Sequence, residues 1–416
     1  MGVYDKASLV QIPSGYKSGT LYSVLPANGD GDFTHTRGSS ATRVNKDGLI
    51  ESVASDVPRL DYPLIDGVVQ DCPVLLLEPL RNNQQPYSED FSGYAGSSFS
   101  VVSDDAISPD GSQNADFIKE YSGVSAKYFY KDSSITSGTE YTQSIFVKSN
   151  GTRYFQITGS SGFSTAMRVN FDLQEGVITL NVNANDASIT KFPNDWYRVS
   201  VTDTATSDTT GRMVYGLIGT ADAGRLAAYS GDTSKGVYAW GAMLEAGDFL
   251  TSYIPNLITG STTRNADECN SAGTSAEFND SEGVFFAEIS SLAAGSVRRF
   301  AIDNNTSPIN IVRLEYSSTT NRVFGVIYNG SSQIALSFYV PNELEFNKVA
   351  FKYKSADFAL WVNGYEVSTS SSVFTMPSGL QTLGFDDGSG GNDFYSKSKQ
   401  VLIFKTALID RDWETS

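Results

Sequence analysis

The sequence predicts an all-β protein: two antiparallel β-sandwich (jelly-roll) domains in tandem after an extended, loop-rich N-terminal segment. Three observations predict it. From residue 85 onward, short stretches of period-two apolar alternation recur with turn residues between them. The 22 Tyr, 24 Phe and 37 Gly suit strands and turns rather than helices. Six of the 13 prolines fall at positions 13, 26, 58, 63, 73 and 79, so the first 84 residues sustain neither long helices nor central strands. At 416 residues the chain is long enough for several separate cores.

Residues 1–84 therefore read as a loop-rich module with a few short strands, of the kind that orders against a partner. Residues 85–265 read as a first sandwich, through "EYTQSIFVKS", "RYFQITG", "AMRVNFDLQEGVITLNV", "DWYRVSVTDTA", "GRMVYGLIG" and "GVYAWGAMLE". Gln174-Glu175-Gly176 looks like a hairpin turn. Residues 266–416 repeat the style in "GVFFAEIS", "NIVRLEYSS", "NRVFGVIYNG", "NKVAFKYK", "DFALWVNGYEVS" and "KQVLIFK", with hairpin turns at Asn329-Gly330 and Asn363-Gly364. Trp196, Trp240 and Trp361 fall inside alternating strands, where a core role is expected. Neither heptads nor a Gly-X-Y period is present, so no coiled-coil or collagen shaft is expected.

The net charge is −17, and each of the three segments is acidic by itself. Without a positive field, nucleic acid and anionic membrane are excluded as partners. "TRGSSATRVNKDGLIE", residues 36–51, offers two arginines and a turn. It lacks the glycine-rich run into a helix that a phosphate loop needs. Its arginines read instead as docking groups for carbonyls and carboxylates. No basic start followed by a long apolar run opens the chain, so no secretory signal is expected and synthesis in a cytosol follows. Cys72 and Cys269 lack metal-site spacing and read as reduced thiols.

Chemistry-bearing groups are sparse. The only histidine, His35, reads as a hydrogen-bonded loop residue, which removes the usual nucleophile-base arrangements and zinc sites. Glu288 and Glu315 stand singly on their strands, without the alternating partner a glycosidase would place beside them. No cofactor is required. Calcium has one candidate loop, "FDDGSGGNDFYSK", with Asp386, Asp387, Asn392 and Asp393 as oxygen ligands. Tyr121, Tyr128 and Tyr229, near loops, are candidates for a sugar-stacking platform.

Several stretches carry a resemblance: "FTHTRGSSATRVNKDGLIE", "VPRLDYP", "CPVLLLEPLRNN", "YSEDFSGY", "WYRVSVTDTATS", "YAWGAMLEAGDFLTSYIPN" and "TTRNADECNSAG". Their succession resembles tailed-bacteriophage virion proteins of fibre, spike or decoration type. The resemblance implies an N-terminal attachment segment (1–84), a carbohydrate-binding-module-like sandwich (85–265) and a laminin-G or concanavalin-like lectin domain (266–416). It implies a homotrimer in the virion, assembled in the host cytoplasm beside other virion proteins, that binds host-surface polysaccharide without catalysis. Arg37, Arg43 and Arg59 match the attachment motifs and are expected to make assembly contacts, with Asp61 as an acidic counterpart. The C-terminal "TALIDRDWETS" departs from the short acidic helix such proteins carry after "TAL". Two alternatives stand beside this reading, an architectural decoration protein that binds no glycan and a depolymerase with paired carboxylates.

Overall fold

The computed structural model describes residues 3–13, 20–305 and 309–408, so the tail "IDRDWETS" lies outside the described residues. The chain is nearly all β. Between Ala95 and Ala246, two six-stranded antiparallel sheets face each other. One runs in the order Ala95–Ser97, Lys127–Tyr130, Met213–Ile218, Tyr154–Gly159, Arg168–Asp172, Val177–Val182. The other runs Phe99–Ile107, Gln113–Glu120, Gly236–Ala246, Glu140–Asn150, Tyr197–Thr204, Asp186–Lys191. Alternate residues of both sheets, among them Phe129, Phe155, Phe171, Tyr215, Ile145 and Val199, meet in one core. Burying each such large side chain contributes about 1.5–3 kcal/mol.

The C-terminal sandwich packs a five-stranded sheet (Gln333–Tyr339, Arg322–Tyr328, Ile311–Tyr316, Arg298–Asp303, Thr382–Gly384) on a nine-stranded one. The expected hairpins form. Asn363 and Gly364 take φ of +51° and +87° between Val362 and Tyr365, the left-handed pair a two-residue turn requires. Trp196, Trp240 and Trp361 are all buried.

The N-terminal segment differs from its expected independence. Leu9–Gln11, Ser23–Leu25, Arg59–Asp61 and Val74–Leu76 are four of the nine strands of the C-terminal sandwich's larger sheet. Leu9–Gln11 pairs along Val401–Ile403, and Leu9, Leu21, Phe33, Leu75 and Leu77 enter the same core as Phe285 and Phe351. Its hairpin Ala41–Val44/Ile50–Val53 also packs Val44 and Ile50 against Trp196, Trp240 and Tyr253 on the outside of the first sandwich. Residues 1–84 are thus shared between the two sandwiches rather than standing apart as a module.

A buried ionic network fixes that arrangement. Asp267, in the segment joining the sandwiches, accepts hydrogen bonds from Arg37 Nη1 (3.0 Å), the Glu78 backbone N–H (2.8 Å) and Arg59 Nη2. Glu78 accepts from Arg59 (2.5 Å), Arg264 (2.7 Å) and Ser252 (2.6 Å). His35 Nε2 lies 3.3 Å from Asp267 in the strand Thr34–Thr36, so the histidine is a buried network member rather than a loop residue. Burial alone would raise the carboxyl pKa values, but the arginines outweigh it. Arg264 and Arg59 hold Glu78 down at about 2, and Arg59, His35 and Arg37 hold the Asp267 carboxyl well below the usual carboxylate range.

These partners correct the assembly reading. Arg37 and Arg59 are 1% and 0% exposed, and their guanidinium groups are engaged by the chain's own carboxylates and carbonyls. Asp61 pairs with Lys397 and caps the Val44 N–H instead of meeting Arg59. Arg43, bound to Glu51 and the Leu60 carbonyl, alone keeps a partly exposed side chain.

Two outcomes follow. A chain beginning at residue 85 loses Leu9, Leu75 and Leu77 from the core and leaves Asp267 without Arg37 and Arg59. It is expected to be insoluble, or to lack a cooperative thermal transition by circular dichroism. A cooperatively folding 85–416 chain with the full-length Tm would contradict the sharing. Glu78→Gln strands two buried arginines and is expected to cost about 3–5 kcal/mol at pH 7 by urea titration. Because the Glu78 carboxyl is held low, its contribution is present above about pH 4.5 and fades as pH falls toward about 2. The gap between wild type and variant should therefore narrow in that window.

Candidate glycan-binding face

In the first sheet of the middle sandwich, Phe129, Tyr215, Phe155, Ile157 and Val169 point into the core. Period-two alternation turns their neighbours outward. Register places Tyr128, Gly216, Gln156 and Asn170 in one row across four strands, with Val214, Thr158 and Arg168 in the next. Tyr130 follows Tyr128 by two residues on the same side. The two rings stack with centroids 6.3 Å apart at 15°. Arg212 lies over Tyr130 at 3.9 Å and grips Asp132 through Nε (2.6 Å) and Nη2 (2.9 Å). A fork held by a carboxylate above a ring fixes the ring's position.

The segment 219–228 lies across the middle of this face. Gln156 donates to the Gly224 carbonyl and accepts from the Leu226 N–H, and Asn170 donates to the Ala221 and Ala223 carbonyls. Leu226 packs on Gly216, where an added Cβ would come within 2.7 Å of its Cδ2 and displace that side chain. The strap buries Gln156, Thr158 and Asn170 and leaves the Tyr128/Tyr130 end of the face open.

Asp132 also lines a polar cleft of about 460 Å³ with Gln84, Ser133, Ser134, Thr136, Thr210, Thr259 and Ser261. Neutral hydroxyls and an amide around such a volume can exchange hydrogen bonds with sugar hydroxyls. The tyrosine stack adds apolar ring surface beside it.

Of the three tyrosines singled out in the sequence, only Tyr128 lies on this face. Tyr229 is held under Lys127 Nζ at 4.2 Å and donates its hydroxyl to Glu120 at 2.6 Å, so its ring is packed inside the sandwich edge. Tyr121 is exposed but follows a strand of the opposite sheet. Tyr130, Asp132 and Arg212 were missed. The "KYFYKD" spacing that puts Tyr128 and Tyr130 on one side was legible, whereas the distant Arg212–Asp132 pairing was not.

The calcium loop does not gather its four residues around one point. Asp387 accepts from Ser389, Gly391 and Asn392 and faces Arg299. Asp393 accepts from Tyr395, and Asp386 from the Gly388 N–H. Among the described residues no three His, Cys, Asp or Glu side chains converge as metal ligands. Asp386 instead lines a second polar cleft, of about 420 Å³, with Asp303. Burial raises the Asp303 carboxyl to about 6, against the Asn305 N–H it accepts, and Asp386 adds to the shift. Glu288 is bound by Lys399 and Gln400, and Glu315 by Arg299 and Arg313.

No protein-family model and no curated protein matches the chain. Solved structures are similar to it at a low level. The CBM40 module of the Ruminococcus gnavus IT-sialidase, bound to alpha2,3 sialyllactose, is 12% identical with a TM-score of 0.29, over 33% of this chain and 82% of its own. Domains LG4-5 of the mouse laminin alpha1 chain are 8% identical at 0.24, over 83% and 93%. Trypanosoma rangeli sialidase in complex with sialic acid is 11% identical at 0.27, over 86% and 76%. These likenesses concern the β-sandwich outline alone.

Asp303 yields a pH prediction. Its folded pKa of about 6 lies above the unfolded value of about 4, so the folded state binds the proton more tightly, and stability falls as pH rises from about 4 to about 6. Asp303→Asn is expected to raise stability at pH 7.5 by about 2 kcal/mol and to leave it nearly unchanged at pH 4, read from Tm across that range. Equal effects at both pH values would contradict the assignment.

Proposed function

We propose that this chain is a non-catalytic structural protein of a tailed-phage virion that binds host-surface polysaccharide. The observation that carries the glycan reading is the open end of the middle sandwich's outer face. There the Tyr128/Tyr130 stack and the Arg212–Asp132 fork adjoin a cleft lined by hydroxyls. The virion part of the reading, with a homotrimer assembled in the host cytoplasm beside other virion proteins, is supported by the motifs of the attachment segment and of "YAWGAMLEAGDFLTSYIPN". Arg43 is the arginine of that segment left with a solvent-facing side chain for such contacts. The engagement of His35, Glu288 and Glu315 in internal partnerships supports the absence of catalysis.

A second reading, a depolymerase, rests on one observation: Asp303 and Asp386 share a cleft, and both carboxyl groups are raised by burial. Raised carboxyl groups in a cleft suit general acid work.

Binding to a panel of bacterial surface polysaccharides, followed by a reducing-end assay on each polymer bound, separates the readings. Binding without new ends, weakened about tenfold by Tyr130→Ala and unmoved by Tyr121→Ala, is expected. New ends abolished by Asp303→Asn would establish the depolymerase. Binding unaffected by Tyr130→Ala would place the glycan elsewhere on the chain, and silence across the panel would leave an architectural protein.

A further inference from the structure

Two arginines on the same face have no acidic partner. Arg168 projects outward from its strand opposite Thr158, and its Nε is enclosed without an acceptor. Arg225, on the strap, reaches back to the carbonyl of Gly159 through Nη2 (2.9 Å) and Nε (3.3 Å), which leaves Nη1 unbonded. Gly159 follows Thr158, so Arg168 by its strand register and Arg225 by its hydrogen bonds are placed at the same two residues of one strand. Their neighbours behave otherwise: Arg153 is paired with Asp172 and Arg212 with Asp132. Asp222, the acid on the strap, is bonded by Thr220. Among the described residues neither Arg168 nor Arg225 forms an ion pair, in a chain of 47 Asp and Glu against 30 Lys and Arg.

Two guanidinium groups with free N–H donors, both placed at Thr158–Gly159 by register and by hydrogen bonds, can be met by the oxygens of a carboxylate. Thr158 lies between the strand of Arg168 and that of Val214, and the strand of Tyr130 comes next. Three strand spacings separate the arginine end from the tyrosine end, about 14 Å. The strap covers the strands between, so one oligosaccharide reaching both ends has to pass over it.

We propose that this face selects acidic glycans, with Arg168 and Arg225 binding a sugar carboxylate while another sugar packs against the Tyr128/Tyr130 stack. The inference rests on the glycan-binding reading above and names its ligand class.

The test is calorimetric titration of the full chain with oligomers of galacturonic, mannuronic and sialic acid, each beside its carboxyl-reduced form. The expected result is binding of at least one acidic oligomer, at least tenfold weaker for its reduced form. The Arg168→Gln/Arg225→Gln double variant should lose that tenfold preference, and the Lys counterparts should recover part of it. Unchanged Tm in the variants separates lost recognition from a loosened strap. Equal binding of acidic and reduced oligomers, unmoved by the arginine variants but weakened by Tyr130→Ala, would overturn this inference and leave the glycan-binding reading intact. Neutral polysaccharides bound while every acidic oligomer fails would do the same. No binding of any oligomer or polysaccharide would overturn both.

Discussion

The architecture depends on the charge balance around Asp267 and Glu78. Two buried carboxylates stand among three arginines, drawn from the N-terminal segment (Arg37, Arg59) and from the segment joining the sandwiches (Arg264). Buried charges of this kind contribute little net stability compared with well-packed apolar groups, yet removing one partner leaves another charge stranded. The network therefore acts as a constraint on chain path. Only a fold that brings residues 35–78 against residues 251–267 neutralises it. From there the same N-terminal strands run on into the C-terminal sheet, and Asp61 reaches Lys397 on its strand Ser396–Phe404.

That constraint also positions the candidate site. Arg264 and Glu78 fix Ser252 and the chain around it. Asn256 then holds the turn that follows, its amide donating to the Gly260 carbonyl and accepting from the Thr262 hydroxyl. Thr259 and Ser261, set by that turn, form one wall of the hydroxyl cleft, and Asp132 from the middle sandwich forms another. The face itself is rigid for a separate reason. Buried amides at Gln156 and Asn170 would be costly without partners, and the strap's carbonyls and N–H satisfy them. A polar sheet surface is thereby covered at its centre and left open at the Tyr128/Tyr130 end.

Much of the fold was legible in the sequence because a strand half-buried in a sandwich writes its geometry as alternation. "RYFQITG" and "AMRVNFDLQEGVITLNV" show it, and Asn363-Gly364 marks its turn by the backbone conformation it alone accepts easily. The integration of residues 1–84 was not legible. Strands of three residues, such as Leu9–Gln11 and Val74–Leu76, are too short for a period to register, and proline punctuation made them look like loop. The arginines of "TRGSSATRVNKDG" were recognisable as hydrogen-bonding groups. Arg37 finds its carboxylate, Asp267, 230 residues away in sequence, while Arg43 binds the nearby Glu51, so inward and outward roles looked alike. Tyr229 and Tyr128 were equally ambiguous, since only the tertiary position of Glu120 and Lys127 decides which ring is packed away.

The overall acidity of the chain and the arginine pair are compatible because they act at different ranges. At physiological salt, charges beyond about 8 Å are largely screened, so a net charge of −17 discourages dense polyanions in bulk without governing contact at one corner. At contact range what matters is whether a guanidinium already has a carboxylate. Arg153 and Arg212 do, and so present little net charge to a ligand, while Arg168 and Arg225 present theirs undiminished. On the proposal above, an acidic sugar that sets a carboxylate beside the pair gains its hydrogen bonds there, whatever the net charge of the rest of the chain. If the chain binds as proposed, weak single contacts would gain on the order of 10² to 10⁴ in apparent affinity where several copies engage one polysaccharide.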